Sequence, residues 1–162
     1  MQLTGLGNRR ALEEAFDRLR GTSPSKGLSA VLIMIDLDYF KEINDKYGHN
    51  AGDQILIDVG KMLQRITRPE DICIRYGGEE FAILLRTKNI DMAVELAERI
   101  RKEFSETPTI YERQSISHTL TAGLTKPFTP DEKIIPTELV QQADIALYRA
   151  KESGRNQTLV YT

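Results

Sequence analysis

The sequence predicts an α/β domain in which helices surround a mixed central β-sheet. Its first strand signal, Leu28 to Ile35, is apolar apart from Ser29, as expected of a strand that is buried on both faces. Segments with helical periodicity alternate along the rest of the chain with segments that favour strands. That order is typical of helices packed on the faces of one sheet.

Five helices are predicted, four of them from apolar residues that recur at helical spacing. Asn8 is a good N-terminal cap for the first helix, which Gly21 and Pro24 end. A short helix spans Phe40 to Tyr47, and Gly48 separates it from the next helix. The stripes of the four longer helices are Leu12, Ala15, Phe16 and Leu19; Ile55, Leu56, Val59, Met62, Leu63 and Ile66; Ile90, Ala93, Val94, Ala97, Ile100 and Phe104; and Leu139, Val140, Ala143, Leu147 and Ala150.

The remaining strands are predicted from β-branched and apolar runs. Ile72 to Tyr76 and Phe81 to Leu85 flank the pair Gly77-Gly78, which tolerates the positive φ angles of a two-residue hairpin loop. We therefore expect a β-hairpin there. Ile110 to Thr125 is rich in Thr, Ser and Ile and favours strand pairing, and Gln157 to Tyr161 is a weaker candidate.

Size and composition limit the classes of function. A chain of 162 residues with 40% hydrophobic content can bury the core of one domain without disulfides. The net charge of -2 provides no basic field for nucleic acid polymers or anionic membranes, so an anionic substrate must be met locally. Cys73 is the only cysteine, which excludes an intramolecular disulfide and favours a small buried side chain.

Glu98 and Arg101 are expected to be ordinary solvated helix positions.

Targeting signals are not found in the sequence. No apolar run approaches the roughly 20 residues that a membrane-spanning helix needs, and the N-terminus lacks a signal-peptide pattern. We therefore expect a cytoplasmic domain without direct membrane insertion, although a longer parent protein could be anchored in a membrane.

Acidic residues follow the first strand and occupy the hairpin tip. Asp36 and Asp38 lie on the same side if the strand continues that far, while Leu37 can offer its carbonyl oxygen. Glu79 and Glu80 repel each other unless water, a cation or a basic group screens them. A solvated acidic turn would explain the hairpin tip alone. Combined with Asp36 it predicts an all-oxygen site that suits Mg²⁺ or Mn²⁺.

Several motifs occur together in one order along nearly the whole chain, and with them the sequence resembles a diguanylate cyclase (GGDEF) domain. A lone Gly-Gly-Glu-Glu-Phe would be a weak signal, but collinear motifs are not readily produced by chance. The departures from the family pattern are few, with Tyr39, Glu79 and Thr121 replacing more frequent residues. The matching segments are 3–10, 36–45, 48–53, 77–81, 143–151 and 154–156.

The resemblance implies a palm-like fold shared with nucleotidyl cyclases and the condensation of two GTP into cyclic di-GMP and two pyrophosphates. In that reaction each 3′-hydroxyl attacks the other molecule's α-phosphate. By resemblance Asp36 and Glu79 hold the metal with the Leu37 carbonyl, and Glu80 lies near the attacking hydroxyl. An isolated Asp36 would more simply cap a strand end.

The resemblance also implies the phosphate-binding groups. Phe40 and Lys41 lie where a strand end turns into a helix, so their backbone N–H groups can meet phosphate oxygens. The alternative interpretation of Lys41 is a solvated surface lysine. Lys151 and Arg155 flank Gly154 and contact phosphate in the family, and the alternative is a favourable interaction with the helix C-terminus.

The resemblance implies that Asp53 selects the base and that Asn44 contacts guanine or ribose. A carboxylate accepts from guanine N1–H and N2–H₂ but faces the wrong edge of adenine. Both residues could instead be helix caps.

Arg68 and Asp71 match the inhibitory product site of the family, where Arg holds phosphate and stacks on a purine. Such a pair alone is usually a surface ion pair.

The resemblance finally implies an assembly. Residues 1–162 form a single catalytic domain that we expect to be part of a longer signalling protein with an N-terminal regulatory domain. One guanine site per chain and two guanines per product imply a homodimer in catalysis. Two alternatives remain: a catalytically silent module that binds GTP or cyclic di-GMP, and a cyclase that joins other purine nucleotides.

Overall fold

The computed structural model describes residues 3–21, 28–130 and 133–162. Pro24, expected to help end the first helix, lies outside these residues. The helices and strands are α1 (Arg9–Arg20), β1 (Ser29–Leu37), α2 (Phe40–Tyr47), α3 (His49–Ile66), β2 (Ile72–Gly77), β3 (Glu80–Thr87), α4 (Ile90–Glu106), β4 (Thr109–Tyr111), β5 (Gln114–Ile116), β6 (Leu120–Leu124), α5 (Pro136–Glu152) and β7 (Thr158–Val160).

The main sheet is mixed, and β1 is its central strand. The order is β2-β3-β1-β6-β7, in which β1 runs antiparallel to β3 and β6 while β7 runs parallel to β6. Strands β4 and β5 form a separate two-stranded hairpin. The predicted α/β fold with a mixed sheet is therefore confirmed.

Alternation along β1 divides the core between the two faces of the sheet. Ile33 and Ile35 pack into the cluster that includes the apolar stripes of α3 and α4. Leu32 and Met34 face the opposite way and pack with residues of α1 and α5. All four side chains are almost completely buried. The central strand is covered on both faces, which explains why its sequence is nearly continuous in apolar residues.

The hairpin is present, but the expectation about its glycines was wrong. Gly77 already pairs with Glu80, so the two-residue loop is Gly78-Glu79, and the register shifts between Arg75 and Gly77. Neither Gly77 nor Gly78 has a positive φ angle. The Arg75 side chain closes the loop by donating from Nε to the Gly78 carbonyl at 2.9 Å. The bulge therefore replaces the left-handed turn that we expected.

The charged face of α4 also departs from the prediction. Arg101 forms an ion pair with Glu98 at 2.6 Å and donates from Nη1 to Asn156 Oδ1 at 2.9 Å. Glu98 also accepts a hydrogen bond from Thr158 on β7 at 2.8 Å. These residues connect α4 to the C-terminal segment rather than being ordinary solvated positions.

Cys73 lies on β2 and is only partly buried. Its thiol donates to Thr67 Oγ1 at 3.3 Å. Burial raises the pKa of the Cys73 thiol to about 11. The side chain is therefore a protonated, unreactive thiol at neutral pH, although it is less buried than the sequence predicted.

Among the described residues, no helix combines the length and apolar character that crossing a membrane requires.

Helix α5 touches the sheet through main-chain atoms at Gly123 on β6. A methyl group at Gly123 would meet the Leu147 Cα at 2.8 Å and would lie still closer to Leu147 N and Ala143 O. Because these are backbone atoms, no side-chain rotation can relieve the contact. The close approach fixes how near the helix lies to the central strands.

We expect Gly123→Ala to lower the free energy of unfolding by about 3 kcal/mol or more, since it overpacks a rigid contact. Urea unfolding monitored by circular dichroism measures the change. Gly21→Ala is the matched control, because a methyl group there meets its nearest atom at an ordinary 3.7 Å. Equal stability of the two variants would contradict the close contact.

Candidate active site

The end of β1 and the tip of the β2–β3 hairpin bring the predicted acids together. Asp36 pairs with Glu80 across the β1–β3 ladder, so these side chains are neighbours on one face. The Leu37 amide donates to the Glu79 carbonyl at 3.2 Å. The Leu37 side chain is buried in the core, so only its backbone can serve a ligand. All four groups therefore lie at one edge of the sheet.

Asp36 is almost buried and is paired with a cation from α5. Its Oδ2 accepts a hydrogen bond from Lys151 Nζ. Burial raises the pKa of the Asp36 carboxyl above its ordinary value, Lys151 counteracts part of this, and Glu79 and Asp38 add to the rise. Lys151 thus does not fully offset the effects of burial and of the neighbouring negative charges on this carboxylate.

Glu80 is a second perturbed acid beside Asp36. Burial raises the pKa of the Glu80 carboxyl, and the nearby charges of Asp36 and Asp144 raise it further. Asp144 lies on α5, and burial raises its carboxyl pKa as well. The sequence analysis did not single out Asp144, because its helical spacing shows only an exposed polar position. Glu80 at the hairpin and Asp144 on α5 are therefore close enough for their charges to interact.

The donor set fits a hard divalent cation. Asp36, Glu79 and the Leu37 carbonyl offer only oxygen atoms, which suit Mg²⁺ or Mn²⁺. Burial, and then the charges of Glu79 and Asp38, make the ionised form of Asp36 costly, and a bound cation would stabilise that form. Within residues 3–21, 28–130 and 133–162, no group of three or more His, Cys, Asp or Glu side chains is arranged to hold a metal. The protein would accordingly contribute few ligands, and substrate oxygens or water the rest.

The N-terminus of α2 lies directly beyond these acids. Tyr39 precedes the helix with a left-handed φ of 56°, and in the described part of the chain no side chain caps this end. The first N–H groups of the helix, those of Phe40 and Lys41, have no intrahelical acceptor. Lys41 is exposed. The turn thus presents backbone donors and a positive helix end, which suits phosphate.

Helices α2 and α3 bring Asn44 against Gly52, the residue that precedes Asp53. A methyl group at Gly52 would collide with the Asn44 amide, whose Cγ would lie 2.9 Å away. Asn44 Oδ1 is buried there without a hydrogen-bond partner among the described residues. Asp53 follows Gly52 in sequence and is exposed. In the described part of the chain, neither of the two residues expected to contact a base caps its helix.

The end of α5 supplies the two expected cations. Lys151 reaches Asp36, as described above. Arg155 follows the end of the helix, with Nη1 4.0 Å from Asp38 Oδ1 and its guanidinium 5.0 Å from the centre of the Tyr39 ring. Both cations therefore lie beside the carboxylates at the end of β1.

Arg68 and Asp71 occupy a different place. Asp71 comes directly before β2, and the hairpin tip comes directly after β2. The six residues of this strand therefore separate Asp71 from the hairpin tip by about 20 Å. Arg68 donates from Nη2 to Asp71 Oδ1 at 3.1 Å and to the Arg86 carbonyl at 2.7 Å. The Asp71 side chain is 1% exposed and the Arg68 side chain 49%. The pair thus combines a buried acceptor with a guanidinium that solvent can reach.

A cavity of about 290 Å³ adjoins this pair, and Arg99 of α4 lines it together with Arg68 and Asp71. The sequence analysis missed Arg99, because one arginine on an amphipathic helix carries no local signal. It also assigned no role to Asp38, which is fully buried in this structure. Only the packing of α4 and β6 reveals these two residues.

A mixed sheet whose central strand ends in acids beside an uncapped helix N-terminus has the chemistry expected of a metal-dependent nucleotide-binding domain. The family model "Diguanylate cyclase, GGDEF domain" matches residues 2–157. This chain belongs to that family.

Relatives and solved structures agree with this assignment. Diguanylate cyclase A of Treponema denticola is 40% identical over 135 residues, covering 83% of this chain and 36% of its own length. The response regulator PleD of Caulobacter vibrioides is 37% identical over 157 residues, covering 96% of this chain and 34% of its own. The GGDEF domain of DgcB from Caulobacter crescentus, solved in complex with c-di-GMP, matches with a TM-score of 0.88 at 29% identity, covering 99% of this chain and 94% of that one. The chain thus spans less than half the length of these two curated relatives.

If Glu79 is a metal ligand, Glu79→Gln should reduce the formation of cyclic di-GMP at least about 100-fold, because it removes the charge of that ligand at nearly constant volume. The thermal midpoint should stay unchanged, since Glu79 lies in a loop. Glu106→Gln makes the same chemical change at an exposed position at the end of α4 and should leave the rate unaltered. Near-normal turnover of Glu79→Gln would reject its assignment as a ligand.

Proposed function

We propose that this domain condenses two GTP molecules into cyclic di-GMP and two pyrophosphates. The observation that carries the proposal is the convergence of Asp36, Glu79 and Glu80 with Lys151 at one edge of the sheet. Each 3′-hydroxyl would attack the α-phosphate of the other nucleotide, and the main barriers to that step are alignment and charge. The assembled acids and cations address both.

Asp36, Glu79 and the Leu37 carbonyl would hold Mg²⁺ or Mn²⁺, which neutralises phosphate charge when it is bound. Lys151 now donates to Asp36 and can turn toward a phosphate oxygen when that charge is shared. The N–H groups of Phe40 and Lys41 would bind further phosphate oxygens. Glu80 would accept a proton from the attacking hydroxyl, and the raised pKa of its carboxyl supports this role.

Selection of guanine would rest on Asp53 and Asn44. An ionised Asp53 accepts from the N1–H and N2–H₂ edge of guanine, whereas adenine offers an acceptor at N1. The buried, unpaired Asn44 Oδ1 supports a site that lacks a donor until a ligand is present. Because each chain carries one such set and the product contains two guanines, we propose that two protomers face each other during the reaction.

The function is tested by incubating the domain with GTP and Mg²⁺ at a series of protein concentrations and separating the products by chromatography. We expect cyclic di-GMP, with a rate per protomer that rises with protein concentration because the productive species is a dimer. ATP should compete poorly. Absence of product at every concentration, with intact GTP binding by calorimetry, would favour a silent binding module instead.

We propose further that Arg68, Asp71 and Arg99 form an inhibitory product site. The cavity of about 290 Å³ joins two guanidinium groups with a buried carboxylate. Arginine binds phosphate and stacks on purines, while the carboxylate accepts from guanine. The distance of this cavity from the acids supports regulation rather than catalysis.

Arg68→Ala should weaken product inhibition by at least about tenfold, since it removes charge-assisted hydrogen bonds worth about 1.5–3 kcal/mol. Initial rates measured with added cyclic di-GMP give the inhibition constant. Arg10→Ala, an exposed arginine of α1, is the control and should leave that constant alone. Unchanged inhibition in Arg68→Ala would make Arg68 a surface residue.

The relatives extend well beyond the matched domain, so we also propose that this chain works with a regulatory segment in the cytoplasm.

A further inference from the structure

Asp38 is a buried carboxylate that the proposed reaction does not use. Its side chain is 0% exposed. The Thr121 hydroxyl donates to Oδ1 and the Thr119 hydroxyl to Oδ2, each at 2.7 Å. The backbone N–H of Asn156 donates to Oδ2 at 3.0 Å. Arg155 adds a charge near Oδ1. With both oxygens engaged in this way, the carboxylate has little capacity left for a metal ion.

The segment that Asp38 binds has an unfavourable backbone conformation. Arg155 and Asn156 have consecutive φ angles of 61° and 48°. The left-handed region costs a residue such as Arg155 roughly 1–2 kcal/mol, whereas Asn tolerates it better, so the conformation of this segment depends on external restraint mainly at Arg155. Asn156 provides the points of attachment: its amide also donates to Thr121 Oγ1 at 2.9 Å, and its side chain accepts from Arg101.

The consequence of this restraint falls on Arg155. Its backbone direction is fixed by its neighbour Asn156, and its guanidinium lies between Asp38 and the Tyr39 ring. Asp36 binds Lys151 more directly, through a hydrogen bond from Nζ to Oδ2. The two acids, which are two residues apart on β1, thus each hold one of the two cations at the end of α5.

We propose that Asp38 is a positioning residue that acts on the triphosphate through Arg155, without touching nucleotide or metal. This proposal rests on the proposed function, because it assigns Arg155 to phosphate. It predicts that loss of the Asp38 carboxylate weakens substrate binding while the chemical step proceeds at nearly its normal rate.

Asp38→Asn removes the charge and replaces one acceptor with a donor. We expect the KM for GTP to rise about tenfold while kcat changes by less than about threefold, since Arg155 binds the ground state and transition state alike. Arg155→Ala should produce a similar rise. In the Arg155→Ala background, Asp38→Asn should add less than about twofold, because both changes remove one interaction. Additive effects would overturn the proposal.

A matched pair of threonines separates positioning from stability. Thr121 and Thr125 are both fully buried, and each accepts a hydrogen bond from a backbone amide, Asn156 in one case and Leu32 in the other. Thr121→Val should raise the KM, and Thr125→Val should lower the thermal midpoint without changing the KM. Equal effects on the KM would mean that both threonines act only on the fold. This pair decides the question if Asp38→Asn fails to fold.

Binding of a GTP analogue with a methylene group between the α and β phosphorus atoms, measured by calorimetry, repeats the same cycle without turnover. The analogue should bind about tenfold more weakly to Asp38→Asn. If the domain makes no product but the cycle shows coupling, only the proposed reaction fails. If product forms normally and the cycle is additive, the positioning role fails. If the unaltered domain does not bind the analogue, both fail.

Discussion

Two carboxylates at the end of the central strand must be neutralised where little water reaches them, and this requirement organises the molecule. An unpaired charge in such a place is costly, so each acid needs a partner from another element. Asp36 takes Lys151, and Asp38 takes the segment around Asn156. The close contact at Gly123 brings α5 near enough for this pairing. The packing of α5 against the sheet therefore also determines where the charged groups of the site lie.

Most elements could be predicted because their signals are local. The apolar stripes of the helices and the continuous run before Asp36 report burial directly, and each lies within the element that it defines. The Gly77-Gly78 pair misled because glycine is permissive, so its presence does not specify a conformation. Among the described residues, a methyl group on Gly78 would meet nothing within 4 Å. Neither the backbone nor the packing of that part of the chain therefore accounts for the glycine, which leaves room for a ligand to approach.

The acids of the candidate site were predicted for the same reason, since a strand end and a hairpin tip are visible in short segments. The roles of Asp38 and Arg101 were not, because their partners lie far away in sequence. Asp38 meets Thr121 and Asn156, which are 83 and 118 residues away. Arg101 has an ordinary position on an amphipathic helix and reveals its role only when β7 and the preceding segment pack against α4. Sequence patterns give burial well but do not give the partners of a buried polar group.

The Gly123 contact has a consequence for recombining domains of this kind. It joins main chain to main chain, so it contains no side chain that could adapt to a different neighbour. In a chimera that takes β6 from one parent and α5 from another, the helix would shift by the difference between the parents in the distance from α5 to β6. Lys151 would move with the helix. Hybrid cyclases should therefore inherit β6, the connecting loop and α5 as one block, with crossovers placed before Leu120 or after the C-terminal strand.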